Sequence, residues 1–193
     1  MKKWLFAAAV VVAIGIGTLY YYFFSAMSAD GTTQYVYIDD DDNIDSVLTK
    51  VSAVSNAHAM SAYTLLAKHS AYAEHVRTGR YAINGSNGAL VTFRHMKNGL
   101  QTPVNLTVPS VRTTDRLAAE LSKKLMLDSA AISHALKDEA VCQKYGYDTA
   151  TIACMFIPNT YDIYWNTSID HLFERMQKES KRFWNAERTK KAA

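Results

Sequence analysis

The chain has 193 residues, of which 49% are hydrophobic, and a formal net charge of +3 at pH 7. That composition is too apolar for a disordered chain and long enough for one ordinary domain or two small ones. No basic stripe with interleaved aromatic residues runs through it, so nucleic acid is not an expected partner.

Lys2 and Lys3 precede an uncharged run from Trp4 to Phe24. At about 1.5 Å per residue the run matches the ~30 Å hydrocarbon core of a bilayer. Tyr20, Tyr21 and Tyr22 close it, where amphipathic rings favour the interface. The run therefore reads as a retained membrane anchor over residues 4–24. A cleaved signal peptide is the competing reading, although its apolar core is usually only about 7 to 15 residues; Ser25, Ala26 and Ser28 supply small residues for a cleavage site. With both lysines held inside, residues from about 28 onward face the extracytoplasmic side. Residues 1–29 hold no Asp or Glu, so the exported part carries +1.

Beyond the anchor, QYVYI (34–38) predicts a strand, and DDDDN then leads into a helix with Ile44, Val47, Leu48, Val51 and Val54 on one face. The four aspartates lack the Gly and closing Glu of a calcium-binding loop and predict a solvated turn that caps the helix. A second helix is expected over 56–68. RTGRYAINGSNG (77–88) breaks the helical pattern, which resumes over 86–98 through Leu90, Phe93 and Met96. TPVNLTVP alternates Val104, Leu106 and Val108 with polar residues, the pattern of a strand with one buried face. Helices are expected over 113–126 and 129–140. MFIPNTYDIYWNTS (155–168) mixes aromatic side chains with a polar centre at Asn159 and Thr160. Thr167 to Asp170 then fits a capping box, opening a helix with Leu172, Phe173, Met176, Ser180, Phe183 and Trp184 inward. No internal repeat or low-complexity linker appears.

Little in this pattern offers chemistry. The six histidines (58, 69, 75, 95, 134, 171) form no i, i+4 pair, and Cys142 and Cys154 match no zinc spacing, so no metal is expected. The two cysteines leave open either a disulfide or free thiols, the buried free thiol being the commoner state. GSNG lacks the lysine of a phosphate loop and the dinucleotide fingerprint, and no serine stands in a nucleophile elbow. Glycosidic cleavage needs a carboxylic acid whose pKa is raised in an apolar pocket. Each of Glu74, Glu120, Glu139, Glu174, Glu179 and Glu187 instead lies in a helix-like or polar stretch, mostly near Lys or Arg.

The segment MFIPNTYDIYWNTS, joined to RMQKESKRFW, resembles the endolytic murein transglycosylases, the MltG or YceG-like family once labelled aminodeoxychorismate-lyase-like. The anchor, GRYAI (79–83) and LQTPVNLTV (100–108) match in order and spacing. The resemblance implies an α+β ectodomain on one inner-membrane helix, with an anchor and cytoplasmic tip at 1–27 and a LysM-like α+β module at 28–110. Residues 111–193 would be a helical connection and the N-terminal part of a transglycosylase domain. The implied reaction cuts peptidoglycan glycan strands between N-acetylmuramic acid and N-acetylglucosamine, leaving 1,6-anhydro ends without a cofactor. Peptidoglycan glycan strands and the membrane are the implied partners, with peptidoglycan synthases as further candidates, and the ectodomain would be periplasmic. The family glutamate lies in an Ile-Glu-x-Glu-Thr-like motif downstream of the aromatic helix. That motif is not found in these 193 residues, so the glutamate is expected beyond Ala193. No catalytic residue is therefore carried over, and the chain reads as truncated before it and inactive alone. Asn159, Thr160, Tyr161, Tyr164 and Trp165 are the substrate-binding candidates, the two polar residues through hydrogen bonds and the three rings through stacking; their alternative role is hinge and core. The rival reading is a non-catalytic, membrane-anchored wall-binding or scaffold protein.

Intact mass of the membrane-extracted protein should retain residues 4–24; a mature N-terminus near Ala29 would refute the retained anchor.

Overall fold

The computed structural model describes residues 2–192. Ala193, beyond which the family glutamate is expected, lies outside the described residues. Helix α1 (Lys2–Phe24) is apolar on all sides and long enough to cross a membrane, as a helix surrounded by hydrocarbon must be. Its last turn is tied to the first unit of the fold. Met27 is fully buried, its N–H donating to the Asn87 carbonyl (2.9 Å) and its carbonyl accepting from the Asn56 N–H (2.8 Å). The Tyr21 ring stacks on His58 at 4.5 Å, and His58 Nε2 lies 2.7 Å from the Ser25 hydroxyl. A Cβ at Gly88 would come within 2.5 Å of the Phe23 carbonyl oxygen, so only glycine admits this approach. After this helix Met27 and Ser28 are buried, and Ser25 and Ala26 are partly so.

The chain divides between Thr102 and Pro103 into two units, each with its own core. The first continues with β1 (Gln34–Ile38), α2 (Ile44–Ser52), α3 (Ala57–Lys68), a 3₁₀ turn at Ala71–Glu74, β2 (Gly79–Ile83) and α4 (Ala89–Asn98). Strands β1 and β2 pair antiparallel, with Val36 opposite Tyr81 and Ile38 opposite Gly79. GRYAI, expected within a pattern-breaking turn, is a strand because its alternation buries Gly79, Tyr81 and Ile83 beneath the sheet. They pack with Val47, Val51, Tyr63, Phe93 and Met96. On the opposite face Tyr35 and Tyr37 are exposed, and the Arg80 guanidinium sits 3.5 Å from the Tyr35 ring centroid.

The cap of α2 is Asn43, whose side chain accepts from the Ser46 N–H at 3.0 Å, and none of the four aspartates fills that place. Asp42 instead accepts from the Asp39 N–H (2.7 Å) and pairs with Lys50, which also reaches Asp39 at 2.8 Å.

The second unit runs β3 (Val104–Val108), α5 (Thr114–Ser122), α6 (Ser129–Lys137), α7 (Glu139–Lys144), a 3₁₀ turn at Ile152–Met155, β4 (Asn159–Ile163), α8 (Ile169–Phe183) and α9 (Ala186–Ala192). Strand β3 pairs antiparallel with β4, Leu106 opposite Tyr161 and Val104 opposite Ile163. It therefore belongs with the second unit, and the division falls at 102 and not at 110. The helix expected over 129–140 is interrupted at Asp138, whose extended backbone ends α6 and whose carboxylate caps α7 through the Val141 N–H (3.1 Å). The cap of α8 is Ser168, accepting from the His171 N–H at 3.2 Å, one residue later than the expected capping box begins. Leu172, Phe173 and Met176 of α8 are buried against Leu106, Leu117, Leu121 and Ile132. Cys142 is a buried free thiol and Cys154 an exposed one.

The two units share more than their size, since each places helices between two paired five-residue strands and a further helix after the second strand. No repeat was expected from the sequence, and the fold is what brings this likeness out.

Phe173 is fully buried and meets Tyr145 and Phe156 edge-on, both at 5.5 Å. Phe173→Ala should therefore cost the second unit about 3 to 5 kcal/mol in urea melts, and a loss below about 1 kcal/mol would contradict this packing. Asp42 supplies a pH dependence. Burial opposes its ionisation, but the hydrogen bonds from Lys50 and the Asp39 N–H outweigh that and hold its pKa below the usual value. Its stabilisation is complete above the ordinary carboxylate pKa of about 4 and is lost as pH falls through the lower folded value. Asp42→Asn should flatten this acid limb in melts recorded across pH 2 to 7, roughly the carboxylate range; an unchanged slope would contradict the assignment.

Candidate functional site

Phe156, Ile157 and Pro158 leave the 3₁₀ turn at Ile152–Met155 and lead into β4. Phe156 turns inward onto Phe173, while Pro158 is exposed. Two residues into β4, Tyr161 is only 6% exposed, and its hydroxyl donates to the Ile157 carbonyl at 2.7 Å. That bond loops the segment back on itself and fixes its path. Burial, with the Glu179 charge adding to it, pushes the Tyr161 phenol pKa up.

The five predicted site residues separate: within β4, Thr160 and Tyr161 take opposite faces, Asn159 begins the strand, and Tyr164 and Trp165 follow it. Asn159 and Thr160 are exposed. Asn159 Oδ1 accepts from the Thr160 N–H at 2.8 Å, and the Thr160 hydroxyl lies 3.0 Å from that of Thr107 across the ladder. Tyr161 belongs to the core, with no ring face left for a ligand. Tyr164, 55% exposed, and Trp165, partly buried against the second core, lie in the turn after β4. This turn is held by the Thr167 N–H on the Tyr164 carbonyl (3.0 Å) and the Met126 N–H on the Trp165 carbonyl (2.8 Å). The five therefore do not converge: Thr160 faces away from the core, Tyr161 faces into it, Asn159 is exposed at the start of the strand, and the turn displays the last two.

A concave site does form beside this segment. Pro109, Val111, Phe156, Ile157, Pro158 and Trp184 line most of a cleft of about 280 Å³, with Ser110 and Cys154 on it as well. Trp184, expected inward, is 48% exposed. Helix α8 ends at Phe183, and Trp184 leaves it with its N–H still donating to the Ser180 carbonyl (2.9 Å), so its ring swings off the buried stripe. A neighbouring cleft of about 540 Å³ shares residues 109–111 and adds Arg112, Thr113, Arg116 and Glu120. Together these clefts offer apolar surface for a sugar's C–H face and donors for its hydroxyls.

The first unit carries a cleft of about 660 Å³ between the loop after β1 (Asp42, Asn43) and the segment before β2 (Ala73 to Arg77). The tyrosines missed as candidates, Tyr35 and Tyr37, lie on the outer face of its sheet; the alternation in QYVYI is the signal that places them there.

No glutamate among the described residues is enclosed in an apolar pocket. Glu74, Glu139, Glu174 and Glu187 are exposed. Glu120 pairs with Lys123 (2.7 Å), and Glu179 with Arg175 (3.2 Å) and Arg182 (3.5 Å). Among the described residues no three His, Cys, Asp or Glu side chains form a group able to hold a metal.

A search of curated proteins finds no match. Among solved structures, the chain is similar to a YceG-like protein from Listeria monocytogenes whose crystal structure was determined at 2.6 Å. Identity is 14% and the TM-score 0.39, with 78% of this chain and 54% of that one covered, so this chain spans about half the length of that relative. The profile of the YceG-like family matches residues 36–193, a stretch that begins within β1 and takes in all three clefts, and the chain belongs to that family.

Proposed function

We propose that this chain is the membrane-anchored, glycan-engaging part of a peptidoglycan lytic transglycosylase. The observation that carries this reading is the family match over residues 36–193. Orientation follows from charge: Lys2 and Lys3 stay on the cytoplasmic side, and both units stand in the periplasm, where peptidoglycan lies. The first unit, with helices between the strands of a small antiparallel sheet, fits a LysM-like module.

In the proposed reaction a carboxylic acid protonates the glycosidic oxygen between N-acetylmuramic acid and N-acetylglucosamine. The C6 hydroxyl of the muramic acid residue then attacks its own C1 and gives up its proton to that carboxylate, so the ring closes to the 1,6-anhydro product without water. Such an acid needs a site that disfavours its charge. The six glutamates present are exposed or paired with cations and are unsuited to the role. What these residues supply is anchoring and glycan capture.

Two measurements on one preparation test this. The purified chain, incubated with insoluble peptidoglycan, should co-sediment with it and release no anhydro-muropeptides detectable by mass spectrometry. Loss of a general acid lowers rates by about 10² to 10⁴. Clear anhydro-muropeptide release would place the acid within these residues. Failure to sediment would remove the glycan reading altogether, whereas sedimentation by a full-length relative that also releases no anhydro ends would favour a wall-binding scaffold.

A further inference from the structure

The two units correspond position by position over their first strand and helix and again over their second strand and the helix after it. Adding seventy carries β1 onto β3 and the Asn43 cap onto Thr113; each cap accepts from the N–H three residues on, Ser46 in one and Arg116 in the other. The α2 core positions Val47 and Val51 fall on Leu117 and Leu121 of α5, all buried. After the connecting helices, which differ in number and length, the offset becomes eighty. Tyr81 then falls on Tyr161, Ile83 on Ile163, Phe93 on Phe173 and Met96 on Met176, again all buried. Both tyrosines make the same bond to the carbonyl four residues back, Tyr81 to Arg77 at 3.0 Å and Tyr161 to Ile157 at 2.7 Å. Both phenylalanines take an edge-on ring from the preceding segment, Phe93 from Tyr72 at 6.0 Å and Phe173 from Phe156 at 5.5 Å.

One wall of each cleft keeps this offset. Ala73, Glu74, Val76 and Arg77, four of the seven residues lining the cleft of the first unit, fall on Ala153, Cys154, Phe156 and Ile157 of the 280 Å³ cleft. The loop after the first strand supplies the other wall in each, but at different positions: Asp42 and Asn43 correspond to Arg112 and Thr113, which line the adjoining 540 Å³ cleft, whereas Pro109 to Val111 border the 280 Å³ one. One module therefore occurs twice, each with a cleft against the segment that enters its second strand, and the lining changes from polar and charged to apolar with an exposed indole.

We infer that the 280 Å³ cleft of the second unit is a carbohydrate site in its own right, repeating the cleft of the first unit and taking the C–H face of a glycan sugar ring against Pro158 and Trp184. The inference rests on the glycan reading proposed above. A hexose ring has an apolar face and a hydroxyl rim, and the cleft matches this with an apolar floor and with Ser110 at its edge, beside Arg112 and Thr113 of the adjoining cleft. Beside a LysM-like first unit that holds glycan, this site makes capture of a polymeric glycan bivalent, so the second contact forms at the effective concentration set by the first.

Cys154 provides a native probe, because it is exposed and lines the cleft while Cys142 is buried. The full chain in detergent micelles would be labelled with a thiol-specific reagent, with and without short peptide-free glycan chains of alternating N-acetylglucosamine and N-acetylmuramic acid. Glycan at about ten times its Kd should slow Cys154 labelling about tenfold, since only the free fraction reacts. The equivalent substitutions Ala73→Trp and Ala153→Trp fill one cleft each, with thermal melts to confirm folding. Ala73→Trp should leave the protection of Cys154 in place, Ala153→Trp should weaken retention on insoluble peptidoglycan severalfold, and the double variant should abolish retention. Should the Ala153→Trp chain fail to fold, Trp184→Ala at the exposed ring tests the same cleft by the same retention assay. Unchanged Cys154 labelling in a chain that still sediments with peptidoglycan would overturn the second site and leave the glycan reading standing. A chain that neither sediments nor shows protection would overturn both.

Discussion

Two paired strands of five residues cannot stand alone in water: the ladder has one face to hide and too few hydrogen bonds to hold itself together. Everything else in each unit answers that constraint. In the first, α2, α3 and α4 supply Val47, Tyr63, Phe93 and Met96 to cover Val36, Tyr81 and Ile83. In the second, α5, α6 and α8 bring Leu117, Leu121, Ile132 and Phe173 against Leu106, Tyr161 and Ile163. The central tyrosine of the later strand links sheet to loop, because its ring fills the core while its hydroxyl reaches back to the carbonyl four residues before it. Buried phenols are mostly hydrogen-bonded, and in both units this one finds a partner that also sets the loop bordering the cleft.

That link explains why the concave surfaces lie where they do. The segment entering the second strand is pinned at its carbonyl, the loop leaving the first strand is pinned by a helix cap, and a gap is left between them. The helices after the second strands then differ in what they expose. Helix α4 closes at Gly99 in the left-handed conformation (φ 69°), a conformation that suits glycine. Helix α8 instead ends in Trp184, whose half-exposed indole borders the apolar cleft. A shared scaffold thus carries two sites of different chemistry, and both fall within the one stretch that matches the family.

Strong periodicity made much of this legible from the residues. The apolar run 4–24, the alternation in 34–38 and 104–108, and the stripe Leu172, Phe173, Met176 each lead directly to an observed element. Strands β2 and β4 were obscured by their surroundings. Glycines and asparagines flank GRYAI, and NTYDI begins with two exposed polar residues, so both look like turn until the partner strand is known. The repeat was hidden because its offset drifts from seventy to eighty across connecting helices of different length, and because only core positions keep their character. The same alternation accounts for the scattered site candidates: neighbours in sequence such as Thr160 and Tyr161 face opposite sides of a strand, while the cleft joins Pro109, Phe156 and Trp184, which are far apart in the chain. The side chain that most marks the cleft, Trp184, follows a helix whose periodicity assigned it to the interior.

Each unit is organised around its own strand pair, and native-state amide hydrogen exchange of the intact chain measures this most directly. The slowest amides should form two groups, one in β1, β2 and α4 and the other in β3, β4 and α8, each with its own opening free energy. Residues 159–163 exchanging at the rate of exposed loops, or one protected core confined to either unit, would contradict it.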